Sequence, residues 1–430
     1  MDSQRNAFAA VAYIKGANMA NLTRRCFLQT AAVTVAATIL GRRSLLAESR
    51  PSLQLPADVK ITAITSTRHY VRHPRKIGRN SFRDHGAGHY EPLIRVKTSA
   101  GVEGIGNTLD KAAVGKTLGE LLEVRDGRLR LRKSARPLIG QSSESVLLDI
   151  VGKLLKRPAA DLLGPIVRRK VPCYDGSIYM RDLDHPEGVI LKDTTNGLDA
   201  GHRAFKVKIG RGNWLKDRQL GYERDLRAVR IVHKALAGHG HVLVDANNYY
   251  NLEESVRLLR DTAEIGLYWA EEMFPEDAAN HEEYRRLHAF IKDNKLPTLL
   301  ADGESGRGDG DLLTLLKEGI IQVSQPDVRT LGIFRFLDYA REIKPLGATI
   351  APHTWAKQFG VLETCLLGMV VPNFTMVEDC RLESNVVKLP HLRIRDGKMT
   401  TGDAPGLGLV IDEAAYRKEC APRAKTVQAE

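Results

Sequence analysis

The chain has 430 residues, 43% of them hydrophobic, and carries a formal net charge of +12 at pH 7. This length suits one barrel of about 250 residues with a companion domain, and the hydrophobic content is ample for a large core. The basic excess raises nucleic acid as a partner, but residues 1–47 alone hold six basic residues and one acidic residue, and no nucleic-acid motif accompanies the scattered remainder. The five cysteines form no CxxC pair, so neither a zinc knuckle nor a disulfide framework is indicated.

The amino terminus has the pattern of an export signal. Arg24 and Arg25 precede a mildly apolar run over residues 30–40. This pattern resembles a twin-arginine signal, so we expect residues 1–47 to direct the protein to the periplasm. A membrane anchor is the alternative, although the uncharged run over residues 26–41 has 16 residues, shorter than the roughly 20 of a spanning helix. The cleavage site after Ala47 is poor, because Leu45 stands where a small residue is usual, so an uncleaved membrane tether stays open.

Residues 58–170 predict an α+β capping domain. Apolar and polar residues alternate over residues 60–64 and 93–98, which is typical of antiparallel strands. The polar stretch from Arg72 to Tyr90 is too long for a hairpin turn, so we expect a lid loop there, with a solvated charged loop as the alternative. The apolar pattern from Ser142 to Leu163 predicts a helix.

From residue 171 to residue 385 the chain repeats one unit, and residues 386–430 are expected to return to the cap. Apolar runs, each followed by a polar residue, recur at intervals of 23 to 37 residues, about the length of a strand, a helix and two loops. The polar residues that follow these runs are Lys208, Asp245, Glu271, Glu304, Asp327, His353 and Glu378. Functional side chains at the carboxyl ends of strands are typical of a TIM barrel. We expect its first strand at Val171–Ile178 and its second at Ala204–Gly210.

Two kinds of charge meet at these strand ends. Lys206 and Lys208 share one face of a strand, and their repulsion and burial would favour the neutral amine, which can act as a base. The next three strand ends supply Asp245, Glu271 and Glu304. Three converging carboxylates need a cation, and Mg²⁺ takes carboxylate oxygens while leaving positions for water and substrate. For any one of the three alone, an ordinary helix cap or surface ion pair is the alternative.

Asp327 and His353 end the next two strands. A carboxylate bonded to one imidazole nitrogen fixes the tautomer and raises the basicity of the other nitrogen, so we interpret this pair as catalytic. Glu378, one strand further, would be a protonated hydrogen-bond donor to developing negative charge if burial raised its pKa.

Together these motifs resemble the enolase superfamily, and within it the mandelate racemase-like group. The resemblance covers nearly all of residues 58–420, including the closing segment Gly402–Gly408. It implies an α+β cap with a modified TIM barrel, (β/α)7β, and Mg²⁺ bound by Asp245, Glu271 and Glu304. It also implies abstraction of the proton α to a carboxylate to give an enediolate.

The resemblance implies roles for the other side chains as well. Lys208 would be one base, with Lys206 as its electrostatic partner. His353, oriented by Asp327, would be the acid or base on the other face of the substrate. Two further residues would contact the intermediate, and they are Asn247 and Glu378.

The chain departs from the family pattern at two places. After the fourth strand the usual Glu-Glu-Pro is replaced by Glu-Glu-Met-Phe-Pro-Glu-Asp at residues 271–277, an insertion that would reshape the pocket rim. Both Asp302 and Glu304 are candidate metal ligands, and we prefer Glu304 because a Gly-Glu pair matches the histidine-bearing subgroup. Residues 327–330 lack the lysine of the lactonising and succinylbenzoate-forming subgroups, which disfavours both.

The predicted function is a Mg²⁺-dependent dehydratase, a carbon–oxygen lyase, acting on an acid sugar or a related hydroxycarboxylate as a homo-oligomer. A racemase or epimerase of a 2-hydroxy acid would use the same residues. An exported carboxylate-binding protein without catalysis is a third reading, disfavoured because binding alone needs no bases such as Lys208 and His353. In this family the cap loop sets the substrate, and the substrate contacts expected from it are Arg79, Arg83, His85 and His89.

Overall fold

The cap is built on two long antiparallel strands. The structure is a computed structural model, and it describes residues 52–139, 144–186, 188–304, 310–355 and 357–429. Strand β1 (Ile61–Arg72) pairs with β2 (Gly88–Thr98) along its whole length, and β3 (Glu103–Gly106) extends the sheet beside β2.

The two strands run further than the alternation predicted. The connecting loop covers residues 73–87 instead of Arg72–Tyr90, because Arg72 ends β1 while His89 and Tyr90 lie in β2. Tyr70 and Tyr90 stand directly opposite each other, with ring centroids 5.3 Å apart. Such cross-strand aromatic pairs stabilise a sheet even where the surrounding residues are polar.

One short cap helix precedes a small hairpin, and the other cap helices follow it. In chain order these elements are α1 (Leu118–Leu121), β4 (Leu122–Arg125), β5 (Arg128–Leu131), α2 (Arg136–Ile139), α3 (Glu144–Leu155) and α4 (Ala160–Leu163). The single helix predicted to reach Leu163 is therefore interrupted. Lys156 adopts a left-handed φ of 53°, and Pro158 has no N–H to continue the helix, so α3 stops before both.

Eight parallel strands then form the barrel. They are β6 (Val171–Ile178), β7 (Ala204–Lys208), β8 (His241–Asp245), β9 (Trp269–Glu271), β10 (Leu299–Asp302), β11 (Val323–Ser324), β12 (Thr349–Ile350) and β13 (Val377–Asp379). From β6 to β12 each strand pairs with the next, and β13 pairs with β6. Between β12 and β13 the backbone of Ile350 bonds to Asn373 and Thr375 just before β13.

Helices fill all seven connections between these strands. They are α5 (Gly188–Asp199), α6 (Gly212–Leu215), α7 (Arg218–Leu236), α8 (Leu252–Asp261), α9 (His281–Asp293), α10 (Gly310–Lys317), α11 (Val328–Leu331), α12 (Ile333–Ile343) and α13 (Gln358–Val370). This is the predicted (β/α)7β order.

The carboxyl-terminal segment pairs with both sheets. Its elements are β14 (Glu383–Ser384), β15 (Val387–Lys388), β16 (Arg393–Arg395), β17 (Lys398–Thr400), β18 (Val410–Ile411), α14 (Glu413–Glu419) and β19 (Lys425–Gln428). Strands β14 and β19 pair with β1, and β17 pairs with β6. Leu53–Glu430 forms one compact unit, so the boundaries predicted at residues 170 and 385 stay a prediction.

The predicted export signal lies outside the described residues. Among the helices that the structure describes, none has both the length and the apolar composition to cross a membrane.

One residue from each barrel strand, or from its immediate flank, contributes to a buried layer inside the barrel. The layer consists of Tyr174, Ala204, Leu243, Trp269, Ala301, Val323, Ala351 and Met376. It forms a floor beneath the carboxyl ends of the strands.

Candidate active site

The polar residues of the site occupy the next inward positions above this floor. Side chains alternate along a strand, so the residue two positions further along faces the same way. Those positions hold Gly176, Lys206, Asp245, Glu271, Gly303, Gln325, His353 and Glu378. Contacts among these residues show that they meet in one place, because Lys206 Nζ lies 3.3 Å from Asp245 Oδ2 and 3.0 Å from Glu378 Oε1.

Three carboxylates converge at this level. Asp245, Glu271 and Glu304 each offer an oxygen within 4.8 Å of the others. Glu304 Oε2 is buried and accepts no hydrogen bond from the described residues, so an oxygen remains available to a cation. Three hard oxygen donors fit Mg²⁺, which these residues could hold.

Asp302 and Glu304, the two candidates for the third metal ligand, have different surroundings. Asp302 accepts hydrogen bonds from the Tyr284 hydroxyl and from Gly303 N, and it is not part of the carboxylate group. Gly303 has a φ of 114°, a conformation that side-chain-bearing residues rarely adopt. This turn brings Glu304, one residue beyond the alternating position, to Asp245 and Glu271.

Neighbouring side chains orient the central carboxylate. Glu271 Oε2 accepts hydrogen bonds from Trp269 Nε1 over 2.9 Å and from Gln325 Nε2 over 2.8 Å, while its other oxygen accepts one from Lys206. Asn247 N donates to Asp245 Oδ1 over 2.8 Å. Both carboxylates are therefore fixed before any ligand binds.

The two lysines are surrounded by acid groups. Lys206 is fully buried among Asp245, Glu271 and Glu378, and Lys208 donates to Asp245. Burial alone would lower the pKa of each lysine, but the carboxylates outweigh it and raise the pKa of both. The predicted shift toward the neutral amine is thus wrong for this arrangement, because carboxylates from other strands outweigh the repulsion between the lysines.

His353 lies between two carboxylates. Its Nδ1 is 3.3 Å from Asp327 Oδ2, and its Nε2 is 3.4 Å from Glu304 Oε2. Although burial acts to lower it, the pKa of His353 is raised to about 9 by Glu304 and Asp327. Asp327 also receives the guanidinium of Arg329 and caps α11, accepting from Arg329 N over 2.8 Å. The dyad predicted from sequence is therefore a triad of His353, Asp327 and Arg329.

Glu378 differs from the sequence expectation. Burial acts to raise its pKa, but Lys206, His353 and the backbone N–H of Thr354 together lower the pKa below the ordinary value. Glu378 Oε2 accepts from Thr354 N over 2.8 Å. The carboxylate is therefore ionised, and the predicted protonated donor is wrong for this arrangement.

Asn247 and an unpredicted acid group, Glu272, form part of the wall. Asn247 has a left-handed φ of 46°, and its Nδ2 donates to Glu272 Oε2 over 3.1 Å. Its Oδ1 is buried without a hydrogen-bond partner among the described residues. Glu272 is the second residue of the inserted segment 271–277, and that position was the only sequence signal for it.

The cap contributes two of its four predicted substrate residues to this region. His85 and His89 both contact the ring of Trp355, with centroids 4.5 Å and 6.1 Å away, and Lys208 contributes to lowering the pKa of His85, after burial. Arg79 instead pairs with Asp184 over 2.9 Å, and the side chain of Arg83 is exposed.

Trp355 was not predicted from the sequence. It follows His353 by two residues, and its Nε1 is buried without a hydrogen-bond partner among the described residues. Gln325 and Arg329 were also given no role, although both flank the predicted Asp327.

This chain is similar to a known protein family and to several known proteins. A family model described as enolase C-terminal domain-like matches residues 191–415. D-galactarolactone cycloisomerase of Agrobacterium fabrum is 28% identical over 63% of this chain and 70% of its own length. L-talarate/galactarate dehydratase of Salmonella typhimurium is 27% identical over 76% of this chain and 81% of its own length.

Solved structures of galacturonate dehydratase from a Geobacillus species show the same fold. A mutant complexed with Mg has a TM-score of 0.79 and 26% identity, covering 89% of this chain and 100% of that chain. The complex with D-galacturonate and 5-keto-4-deoxy-D-galacturonate has a TM-score of 0.78 and 27% identity, covering 87% of this chain and 100% of that chain.

Proposed function

Because this chain belongs to the enolase C-terminal domain-like family, we propose that it is a Mg²⁺-dependent dehydratase of an acid sugar or a related hydroxycarboxylate. The observation that carries the proposal is the carboxylate group of Asp245, Glu271 and Glu304 with Lys208 against one member and His353 against another. Binding a carboxylate needs neither a base nor an acid in these positions, whereas removing an α-proton needs a base and expelling a β-hydroxyl group needs an acid, which Lys208 and His353 would supply.

The first step would be removal of the proton α to the substrate carboxylate. Lys208 lies at the end of β7 and would be the base. When bound at the three carboxylates, Mg²⁺ would polarise the substrate carboxylate and offset the negative charge that now raises the pKa of Lys208. The enediolate carries an added negative charge, and Lys206, fully buried beside Lys208, would stabilise it.

The second step would be loss of the β-hydroxyl group. Asp327 is placed to hold His353 through Nδ1, so Nε2 would deliver a proton to the leaving oxygen. Arg329 would keep the Asp327 carboxylate ionised and fixed. Asn247 would contact a hydroxyl group of the intermediate, from which its unpartnered Oδ1 can accept a hydrogen bond, and the Glu378 carboxylate would contact a hydroxyl group in the same way.

The substrate would extend from the carboxylates toward the cap. His85 and His89 are its proposed contacts there, and Trp355 joins them because it contacts both rings. Arg79 and Arg83 remain proposed contacts, although the Arg79 guanidinium is held by Asp184. A polyhydroxylated acid suits imidazole and indole nitrogens, which can bond hydroxyl groups.

A racemase or epimerase would use Lys208 and His353 on opposite faces of the same substrate, so product analysis has to separate the two reactions. The purified protein is incubated with Mg²⁺ and a library of acid sugars, in water and in D₂O. Accumulation of a 2-keto acid supports dehydration. Exchange of the α-hydrogen with inversion, and without a keto acid, would replace dehydration by racemisation.

Variants then separate catalysis from binding alone. His353→Asn is expected to lower kcat by at least about a hundredfold, because general acid catalysis contributes roughly that much. His281→Asn, at a buried histidine of α9, is the matched control and should retain activity. Turnover that survives His353→Asn would remove His353 from the mechanism, and absence of turnover on every acid sugar would favour a binding protein.

We also propose export through residues 1–47. The paired Arg24 and Arg25 before an apolar run support this proposal. In a bacterial host the full chain is expected in the periplasmic fraction, and changing both residues to lysine is expected to retain it in the cytoplasm. Equal distribution of both forms would overturn export by this route. Membrane tethering and homo-oligomerisation stay predictions.

A further inference from the structure

A second cavity, of about 650 Å³, lies between the β4–β5 hairpin and helices α11 and α12. Its volume is within the range of small-molecule sites. Six basic side chains in its lining outnumber four carboxyl groups. The basic side chains are Arg125, Arg130, Lys133, Arg136, Arg335 and Arg341.

Three of the six basic groups have acid partners. Arg125 pairs with Glu123, Arg341 pairs with Asp338, and Arg335 pairs with Glu342 over 2.9 Å. Of the four lining acids, Glu123 and Asp338 are thus engaged. The other two lining acids are Glu144, which accepts a hydrogen bond from the backbone of α12, and the exposed Asp126, and neither forms an ion pair with a described residue.

The other three basic groups are incompletely neutralised. Arg130 Nη1 is buried without a hydrogen-bond partner among the described residues, and the carboxylate oxygen of Asp338 is 4.0 Å away. Within the described chain, neither Lys133 nor Arg136 forms an ion pair, although Arg136 is close enough to Glu144 to act on its pKa. A buried guanidinium nitrogen without a partner is costly, and an oxyanion would satisfy it.

From this geometry we propose that the cavity binds a small polyvalent oxyanion, bearing phosphate or carboxylate groups, through Arg130, Lys133 and Arg136. The guanidinium groups offer paired N–H donors that match the oxygens of such groups, and the lysine adds a compact charge. The lining includes none of the carboxylates of the active site, so the proposal does not depend on the proposed reaction.

Titration calorimetry of the full chain with inorganic phosphate, in chloride of constant ionic strength, tests the site. We expect binding by the wild-type protein and a Kd at least about tenfold higher in Arg130→Gln/Arg136→Gln. Arg393→Gln, at an exposed arginine of β16, is the matched control and should bind like the wild type. Phosphate bound at the active site would bind equally to the double variant, and that result would overturn the proposal, as would no binding to the wild type.

A second variant leaves the partly buried Arg130 unchanged and so tests the site without the risk that its replacement unfolds the protein. Lys133→Gln/Arg136→Gln changes exposed side chains only, so it should keep the wild-type melting temperature and still bind phosphate several-fold more weakly. Unchanged affinity in this variant would also refute the site. Parallel titration with tricarballylate, which carries carboxylate groups, distinguishes the two kinds of oxyanion. The ligand that binds more tightly shows whether the cavity prefers phosphate or carboxylate groups. Both ligands must lose affinity in the variants.

Discussion

The buried carboxyl group of Glu144 should make the stability of the protein depend on pH. Glu144 begins α3, is 7% exposed, and accepts a hydrogen bond from Phe334 N over 2.9 Å. Burial raises its pKa from 4.5 to about 7, against the lowering effect of the backbone N–H groups of Phe334 and Ile333. The folded state therefore binds this proton more tightly than the unfolded state. Stability falls as pH rises above about 4.5, and the loss is complete above about pH 7.

The magnitude follows from the shift. A rise from 4.5 to about 7 corresponds to about 3 kcal/mol at full ionisation, most of which develops between roughly pH 5 and pH 8. Glu144→Gln removes the charge, and its amide oxygen can still accept from Phe334 N. We therefore expect the variant to gain roughly 2 to 3 kcal/mol over the wild type between those two pH values.

Urea unfolding in phosphate-free buffer at both pH values measures the difference. Glu264→Gln, at a side chain 64% exposed, is the matched control and should show a difference that does not change with pH. A wild-type-to-variant difference that stays constant within about 0.5 kcal/mol would refute the buried, raised-pKa carboxyl group.

Three further predictions concern the active site. Gly176→Ala would place a Cβ 2.7 Å from Glu378 Oε1, so we expect kcat to fall roughly tenfold to a hundredfold with an unchanged circular dichroism spectrum. Glu304→Gln is expected to weaken Mg²⁺ binding by at least about tenfold in a calorimetric titration, and Asp302→Asn by much less; the reverse order would transfer the ligand role to Asp302. Trp355→Ala is expected to raise KM more than it lowers kcat in steady-state kinetics, and an unchanged KM would remove this residue from substrate binding.

The barrel could be predicted because each functional residue follows an apolar run. That pattern depends only on local sequence, since a strand buried on both faces must be apolar and its end must meet solvent or substrate. The residues that follow these runs predicted a barrel and a Mg²⁺ site, and their resemblance to the enolase superfamily implied the family, the full fold class and an enzyme; these four predictions, of family, fold class, enzyme and Mg²⁺ cofactor, are confirmed. The individual catalytic roles stay proposals.

Charge states could not be predicted in the same way. In the sequence, the only charged neighbour that strand alternation predicts for Lys206 is Lys208. In the folded protein three carboxylates from other strands also surround it, and they are Asp245 of β8, Glu271 of β9 and Glu378 of β13. Each of these lies at least 37 residues away, and together they reverse the expected direction of the lysine pKa. Such shifts follow from which strands are neighbours, and periodicity carries no information about that.

The contacts of the cap loop could not be predicted, for a related reason. Residues 73–87 have no apolar period, so the sequence could say only that a polar loop was present. The contacts of His85 and His89 with Trp355 join a cap residue pair to a barrel residue more than 260 positions later. The aromatic residue could have been noticed two positions after His353, where the strand pattern places another side chain near the mouth.

The position of the third carboxylate, Glu304, depends on the φ angle of the residue before it, Gly303. Alternation from the buried Ala301 leads to Gly303, and a ligand at that position would follow the pattern of Asp245 and Glu271. Glycine has no ligand atom, but its φ of 114° lets the chain turn so that Glu304 reaches the same place. A Cβ at Gly303 would meet Leu312 Cδ2 at 2.5 Å in addition to the backbone strain. The choice of Glu304 over Asp302 therefore rests on glycine at this position, since any other residue would have to move either α10 or the ligand itself.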